Sequence, residues 1–211
     1  MRIPFHTSLA IATLAFLLTS CSESFTDSRD GQSYDVVNIG GLTWMAENLN
    51  YATEASACPD GDSRNCKRLG RLYTWAEAKT VCPEGWYLPT NEDFAQVLAR
   101  SHDGDSGAVS NKVGAALKAK DGWFKKGNGT DDFGFNALPA GYRGAILKAD
   151  DGTISGGKFD GIGGYAYFWS ATEDSENPES NAYYLFLSFS SDAASLNSFA
   201  KEDYRSVRCV R

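Results

Sequence analysis

Residues 70–93 read GRLYTWAEAKTVCPEGWYLPTNED and carry the start signals of two helices. Thr74 and Glu77 have the spacing of a capping box, in which each side chain satisfies a free backbone N–H group of the first turn. Thr90 and Asp93 repeat this spacing before a second apolar pattern. The segment therefore predicts one helix that begins after Thr74 and another that begins after Thr90.

Strand patterns lie on both sides of these helices. Residues 34–39 and 42–46 are two short apolar runs across a Gly-Gly turn, which predicts a β-hairpin. A third and weaker helical pattern covers residues 109–118. Near the end of the chain, residues 182–190 and 204–210 return to a strand pattern.

Glycine dominates the segment between the helices and the final strands. Twelve glycines lie between residues 122 and 164, which favours tight turns and close backbone approaches over long helices. The expected class is α+β, with two or three helices, a small twisted antiparallel sheet and long glycine-rich loops. No internal linker is evident, so residues 30–211 are expected to form a single domain.

The first 20 residues have the three parts of a secretory signal. Arg2 precedes an apolar run over residues 9–18, which is too short to span a membrane. The letters LTSC that end at Cys21 fit a bacterial lipobox, so we expect cleavage before Cys21 and lipidation of its thiol. Ser22 in place of Asp is the pattern that Gram-negative bacteria send to the outer membrane.

The charge balance limits the classes of partner. The full chain carries a net charge of −7, and loss of Arg2 with the signal takes it to −8. Nucleic-acid binding needs a basic surface, so a nucleic-acid partner is not expected. Contact with an anionic membrane is expected only through the lipid anchor, and residues 21–29 are expected to be a short polar tether.

Four cysteines remain after the signal, an even number that favours two disulfides in an exported protein. Three pairings are open. Cys58 and Cys66 flank a short polar loop and form a natural pair, which leaves Cys82 to pair with Cys209. A zinc site is the rival interpretation, but the close cysteine pairs of such sites are missing.

Catalytic side chains are scarce. His102 is the only histidine left after the signal, so a Ser-His-Asp triad or a histidine-based zinc site would depend on it alone. Carboxylates are available, because Glu173, Asp174, Glu176 and Glu179 lie in one segment. Since two carboxyl groups suffice for glycoside hydrolysis, a carboxylate-dependent hydrolase stays an alternative.

Aromatic side chains are the best positive indication of binding. Six of them lie among glycines and polar residues: Trp123, Phe124, Tyr142, Tyr165, Tyr167 and Trp169. Rings on ordered loops suit stacking against the apolar faces of sugars. Trp169 is expected in the interior, whereas Trp123, Tyr142 and Tyr165 are the candidates for exposed ligand contacts.

Six ordered sequence islands resemble a known family. They are residues 27–51 (DSRDGQSYDVVNIGGLTWMAENLNY), 70–78 (GRLYTWAEA), 82–90 (CPEGWYLPT), 134–143 (GFNALPAGYR), 168–173 (FWSATE) and 206–210 (SVRCV). The order resembles the Fibrobacter succinogenes major paralogous domain, which occurs in bacterial surface proteins and has no assigned activity. That family is similar to C-type-lectin-like folds, in which a disulfide joins the first helix to the last strand. The resemblance thus implies a Cys82–Cys209 bond.

The lectin-like resemblance also bears on a metal. Sugar-binding C-type lectins hold calcium with a proline-containing loop flanked by Glu or Asn, and here Glu176-Asn177-Pro178 lies in the acidic segment that begins at Glu173. The order of residues differs from the lectin motif, and the usual Trp-Asn-Asp partner is missing. Calcium is therefore the only cofactor considered, and no other metal is expected.

These observations favour a surface-anchored, non-enzymatic recognition module whose partner is a glycan or an envelope protein. The expected ligand contacts are Trp123, Tyr142, Tyr165, Glu173 and Asn177. The alternatives are a structural surface paralogue without a small-ligand site and the carboxylate-dependent hydrolase.

Overall fold

The computed structural model describes residues 23–99 and 112–211. Its helices are α1 (Ser63–Leu69), α2 (Trp75–Val81), α3 (Asn91–Leu98) and α4 (Val113–Leu117). A 3₁₀ turn over Pro59–Gly61 precedes α1. Within the described ranges, no helix has the length and apolar character needed to cross a membrane.

The described strands form two main sheets and two short pairs. In chain order they are β1 (Ser24–Thr26), β2 (Ser33–Ile39), β3 (Leu42–Met45), β4 (Leu72–Tyr73), β5 (Ala140–Arg143), β6 (Ile146–Lys148), β7 (Ile154–Gly156), β8 (Phe159–Ile162), β9 (Tyr165–Glu173), β10 (Asn181–Ser188), β11 (Ala194–Ala200) and β12 (Arg205–Ser206). The largest sheet has the order β11-β10-β9-β12-β4, and β1-β2-β3 form the other main sheet. The strand pairs are β5–β8 and β6–β7. The fold is therefore of the mixed α+β class, as the sequence predicts.

Both predicted helix starts are confirmed. The Thr74 hydroxyl accepts a hydrogen bond from the Glu77 backbone N–H at 3.4 Å, and the Glu77 carboxylate accepts from the Thr74 N–H at 3.4 Å. At α3, the Asp93 carboxylate accepts from the Thr90 N–H at 2.8 Å. The hairpin is also confirmed, since β2 pairs with β3 antiparallel across the Gly-Gly turn.

Two helices differ from the prediction. The sequence pattern predicts no helix at the position of α1, because Pro, Gly, Asp and Asn in this segment are typical of turns. Asp62 starts α1 by accepting a hydrogen bond from the Arg64 N–H at 2.9 Å. The helix predicted over 109–118 is shorter, since α4 covers only Val113–Leu117; residues 109–111 lie outside the described ranges.

Two disulfides are present, and they join the cysteines that were expected to pair. Cys58–Cys66 closes the segment that holds the 3₁₀ turn and the start of α1. Cys82–Cys209 joins the end of α2 to the last residues of the chain over a separation of 127 residues.

The five-stranded sheet has differently covered faces because side chains alternate along a strand. The inner face carries Phe168 and Leu185, which are paired in register and are buried against α3 and α4 side chains such as Phe94 and Leu117. The outer face carries Trp169, whose indole packs in one cluster with Trp75 of α2. Helix α2 thus covers only the Trp169 end of the outer face.

The expected tether needs a correction. Residues 24–26 form strand β1 and pair with β2, so they belong to the domain. Asp27 is fully buried and forms an ion pair with Arg29 at 2.7 Å, while Arg29 also donates to the Val81 carbonyl at 2.8 Å. The polar sequence of this segment suggests a spacer, but the Asp27 and Arg29 side chains pair with each other, and Phe25 packs on Trp86.

A fully buried arginine connects the hairpin to the final strand. Arg208 donates to the Met45 carbonyl at 3.1 Å and to the Asn48 side chain at 2.6 Å, and it also bonds the Phe135 carbonyl. Burial lowers the pKa of Arg208 to about 9. Nearby, burial is the main cause that raises the pKa of Glu47, and one oxygen of this carboxylate, Oε2, is buried without a hydrogen-bond partner.

Candidate functional site

The uncovered part of the outer sheet face is lined by aromatic rings. On β9, Tyr165 and Tyr167 alternate with buried Ala166 and so point away from the core. On β10, Phe186 lies directly opposite Tyr167. The alternation that buries one face thus collects aromatic side chains on the other.

These rings form one continuous row of contacts, here called the aromatic strip. Its ring-centroid separations are Phe124–Phe189 6.4 Å, Phe189–Tyr165 6.0 Å, Tyr165–Phe186 5.8 Å, Phe186–Tyr167 5.2 Å, Tyr167–Tyr142 5.4 Å and Tyr167–Tyr184 5.6 Å. Such separations are those of tilted or edge-to-face pairs that stabilise one another. Phe124 is 54% exposed at one end, so the strip offers an extended surface of ordered rings to solvent.

A groove lies at the other end of the strip. Its volume is about 180 Å³, and it is lined by Tyr142, Tyr167, Tyr184, Phe199, Asp203 and Arg205. We call it the Arg205 groove. It is smaller than the 300–1,000 Å³ that enclose a drug-sized ligand, so it suits one ring or substituent of a longer ligand that lies on the strip.

Arg205 forms the charged part of the groove. The side chain is 3% exposed, and its guanidinium carbon lies 4.4 Å from the ring centroids of both Trp169 and Tyr184. Nη2 donates to Asp203 Oδ2 at 3.2 Å, whereas Nε and Nη1 are buried without a hydrogen-bond partner. Burial is the main cause that lowers the pKa of Arg205.

Two backbone features hold the groove in place. Asp203 is itself fixed, because its Oδ1 accepts a hydrogen bond from the Ala145 N–H at 3.0 Å. Tyr142 reaches the groove from β5, whose partner β8 passes very close to Gly141. A Cβ on Gly141 would lie 2.3 Å from the Asp160 carbonyl oxygen, and its φ is +66°. Only glycine therefore fits at this crossing.

The hydroxyls of Tyr167 and Tyr184 in the groove stay protonated at ordinary pH. Burial is the main cause that raises the pKa of both Tyr167 and Tyr184 above the usual value. For Tyr167, the neighbouring tyrosines raise it further. The groove therefore presents neutral hydroxyls, a neutralised Arg–Asp pair and ring faces.

A second cavity of about 470 Å³ lies next to the groove. The segment after β11 contributes to both, since Lys201, Glu202 and Tyr204 line the second cavity whereas Asp203 and Arg205 line the groove. The Lys201 ammonium lies 4.1 Å from the Trp75 ring centroid and is paired with Glu173 at 2.9 Å. The Lys201 ammonium is therefore already engaged by side chains of the fold.

Trp123 requires a correction. It was expected to be an exposed ligand contact, but it is only 5% exposed and belongs to the main core cluster. Its indole N–H donates to the Ala137 carbonyl at 3.0 Å. The indole therefore finds its polar partner inside the protein, while the neighbouring Phe124 reaches solvent instead.

Tyr142 and Tyr165 lie in the aromatic strip and are half-buried. Tyr165 stacks on Phe186 with an interplanar angle of 27°, so one side of its ring is covered. The structure thus brings these two predicted contacts into the same surface.

Glu173 and Asn177 lie at the far end of β9, in the acidic loop. Glu173 is paired with Lys201 at 2.9 Å, and this ammonium is the main cause that lowers the pKa of the Glu173 carboxyl. The Asn177 N–H donates to Asp174 Oδ1 at 3.3 Å. Asp174 also accepts from Ser198, so this carboxylate organises the loop. Neither predicted residue lines the Arg205 groove.

Other expected features fall outside what can be placed. Cys21 and His102 lie outside the described residues. Across residues 23–99 and 112–211, no group of three or more His, Cys, Asp or Glu side chains is arranged to hold a metal ion. Calcium binding by the acidic loop therefore stays a prediction from the resemblance.

Four groove residues were not singled out from the sequence: Tyr184, Phe199, Asp203 and Arg205. The alternation in residues 165–169 and 182–188 marks one aromatic face on each strand, and this signal could have identified Tyr184. Arg205 carried no comparable signal, because its place depends on the parallel pairing of β12 with β9.

No curated protein matches the chain, and no solved structure matches it. The Fibrobacter succinogenes major domain matches residues 37–211, which include helices α1 to α4, the aromatic strip and the Arg205 groove. The chain therefore belongs to the Fibrobacter succinogenes major domain family.

Proposed function

We propose that this protein is a surface-anchored recognition module that binds carbohydrate on the aromatic strip and in the Arg205 groove. The observation that carries the proposal is the row of ordered rings on the sheet face that α2 leaves uncovered. Aromatic faces bind the C–H faces of sugars, while a few fixed polar groups set the orientation. Both kinds of group meet at Arg205.

The elongated shape of the aromatic strip favours an extended ligand. Ring contacts run from Phe124, 54% exposed, to the half-buried Tyr184, and Phe199, 56% exposed, lines the groove at this end of the strip. The exposed rings at the two ends would bind successive sugar units, and the small groove would take one of them. A polysaccharide of the cell envelope or of the surroundings fits this arrangement better than a single small molecule.

The groove also favours binding over hydrolysis. Asp203 is the one carboxylate among the described residues that line it, and it is occupied by Arg205 and by a backbone N–H. Glycoside hydrolysis uses two carboxyl groups, one on each side of the scissile bond. This supports the non-enzymatic alternative over the carboxylate-dependent hydrolase.

The lipid anchor and the C-type-lectin-like fold are part of the same proposal. The lipobox letters before Cys21 support the anchor, and β1 begins at Ser24, so two residues would separate the lipid from the sheet. Replacement of Cys21 by Ala should release the protein from an outer-membrane fraction. The bond from α2 to Cys209 and the glycine-rich loops support the lectin-like fold.

The binding test uses the unlipidated chain from Ser22 onward. It is mixed with insoluble polysaccharides and envelope fractions, and the bound fraction is measured. Phe199→Ala should weaken retention at least about fivefold, because removal of a stacking ring costs about 1 kcal/mol or more. Tyr87→Ala is the matched control, since Tyr87 is 43% exposed but lies outside the groove.

Three results would contradict parts of the proposal. Equal losses of retention for Phe199→Ala and Tyr87→Ala would show that the groove is not part of the binding surface. Retention on no polysaccharide would favour the structural surface paralogue. Release of new reducing ends from a bound polysaccharide would contradict the non-enzymatic role.

A further inference from the structure

We propose that the glycan that occupies the Arg205 groove is uncharged at this position, and that the groove selects against acidic sugars. This inference rests on the proposed carbohydrate binding and specifies its ligand class. It follows from the hydrogen-bond inventory of Arg205, the charge balance of the groove and the polar groups on its rim.

Some N–H donors of Arg205 have no hydrogen-bond acceptor among the described residues. A guanidinium carries five N–H donors, and one of them, on Nη2, bonds Asp203 Oδ2 at 3.2 Å. Nε and Nη1 are buried without a partner. Buried donors are normally satisfied, so an oxygen atom of the ligand is the natural acceptor at the bottom of the groove.

An exposed ring lies beside the buried guanidinium. The Phe199 ring centroid lies 5.9 Å from the Arg205 guanidinium carbon, and Phe199 is 56% exposed. An exposed aromatic side chain changes rotamer within nanoseconds. Rotation of Phe199 would let a sugar hydroxyl approach Arg205 and would then let the ring cover the sugar.

The charge balance separates neutral from acidic ligands. Arg205 is the one cationic side chain among the described residues that line the groove, and Asp203 already neutralises it. Asp203 is buried at 4% exposure. A ligand carboxylate would add a second negative charge beside Asp203, and like charges in such a site repel each other. The net charge of −7 adds to this repulsion at longer range.

The rim groups are matched to sugar hydroxyls. Tyr142 and Tyr167 line the groove, and neither hydroxyl forms a hydrogen bond with the rest of the described chain. Each hydroxyl both donates and accepts, as the hydroxyls of a sugar do. Together with Asp203 as acceptor and Arg205 as donor, the groove supplies complementary partners for a polyol that carries no charge.

The test compares polysaccharides that share a backbone and differ in charge. The chain from Ser22 onward is titrated with methyl-esterified polygalacturonate and its saponified form, and with unsubstituted xylan and glucuronoxylan. We expect the neutral member of a bound pair to bind about tenfold more tightly than its acidic counterpart at about 50 mM salt. At about 500 mM salt, this ratio should shrink while the affinity for the neutral member stays unchanged.

A mild variant locates the effect in the groove. Tyr142→Phe keeps the ring and removes one rim hydroxyl, so it should weaken neutral binding about threefold or more without a change in Tm. Tyr87→Phe is the control and should have no effect. Tighter binding of the acidic member, or a neutral affinity that falls steeply with salt, would overturn the inference while leaving carbohydrate binding intact. Binding to neither member of either pair would overturn it together with the carbohydrate ligand of the proposed function.

Discussion

Removal of the Cys82–Cys209 disulfide should cost about twice as much stability as removal of Cys58–Cys66. In the chain-entropy model, a cross-link stabilises the fold by restricting the unfolded chain, and the gain grows with the logarithm of the loop length. The bond from Cys82 to Cys209 spans 127 residues, and that from Cys58 to Cys66 spans 8. The corresponding losses are about 5 kcal/mol and about 2.5 kcal/mol at 25 °C.

Packing adds to both losses. Cys209 is fully buried in the same cluster as Trp169 and Trp75, so an alanine there also leaves a small cavity. Cys66 is also buried, at 5% exposure, and the partners Cys58 and Cys82 are both half-buried. The difference between the two losses therefore rests on loop length.

The assay is urea unfolding of the two double-alanine variants, followed by tryptophan fluorescence. Free energies of unfolding are compared with that of the unmodified chain. Equal losses, or a larger loss for the Cys58 and Cys66 variant, would refute the assignment of the long loop as the main covalent constraint on this fold.

Four further predictions follow from single contacts. Glu47→Gln should raise the free energy of unfolding at pH 7 in urea titrations. The raised pKa of Glu47 means that the fold favours the protonated carboxyl over the charged form. The stability that the protonated carboxyl contributes is lost as the pH rises through the folded pKa. The advantage of the glutamine variant should therefore disappear below about pH 4, where Glu47 is protonated in both the folded and the unfolded chain. Asp27→Ala should cost about 2 kcal/mol in the same assay, because it leaves the Arg29 donors without their carboxylate. Gly141→Ala should cost about 1–3 kcal/mol in the same assay and reduce polysaccharide retention, because the new Cβ separates β5 from β8 and displaces Tyr142. Calorimetric affinity for a neutral glycan should be constant from about pH 6 to about pH 9, because the raised pKa values of Tyr167 and Tyr184 keep these hydroxyls protonated; a titration with a midpoint in that interval would contradict this.

The helices could be predicted because their starts are encoded locally. The capping boxes at Thr74 and Thr90 need residues only three positions apart, and both form as the spacing indicates. Helix α1 was missed because its segment is rich in turn residues, and the side chain of Asp62 rather than an apolar pattern starts it. Local rules therefore succeed where the stabilising contacts are local.

The candidate site was only partly predictable for the opposite reason. The sequence shows that Trp123 and Tyr165 are aromatic, but their exposure depends on which face of the fold is covered by a distant element. Trp123 is buried by side chains such as Phe135 and Leu117, whereas Tyr165 lies beyond the reach of α2. Arg205 enters the groove only through long-range strand pairing, which no sequence spacing reveals.

The N-terminal segment illustrates the same limit. Polar letters in residues 21–29 suggested a tether, yet β1 adds an edge to the hairpin sheet and Arg29 reaches the end of α2. An ion pair between near neighbours in sequence whose carboxylate is buried, as that of Asp27 is, cannot be told from two solvated charges without knowledge of what covers it.

The most direct test of the proposed site is the aromatic ¹H–¹³C NMR spectrum of the chain from Ser22 onward, recorded with and without the neutral polysaccharide that it retains best. Resonances of Tyr142, Tyr167, Tyr184 and Phe199 should shift on binding, while those of Tyr87 should not. Shifts confined to Tyr87 or to other rings outside both the strip and the Arg205 groove would contradict the assignment of this sheet face as the binding surface.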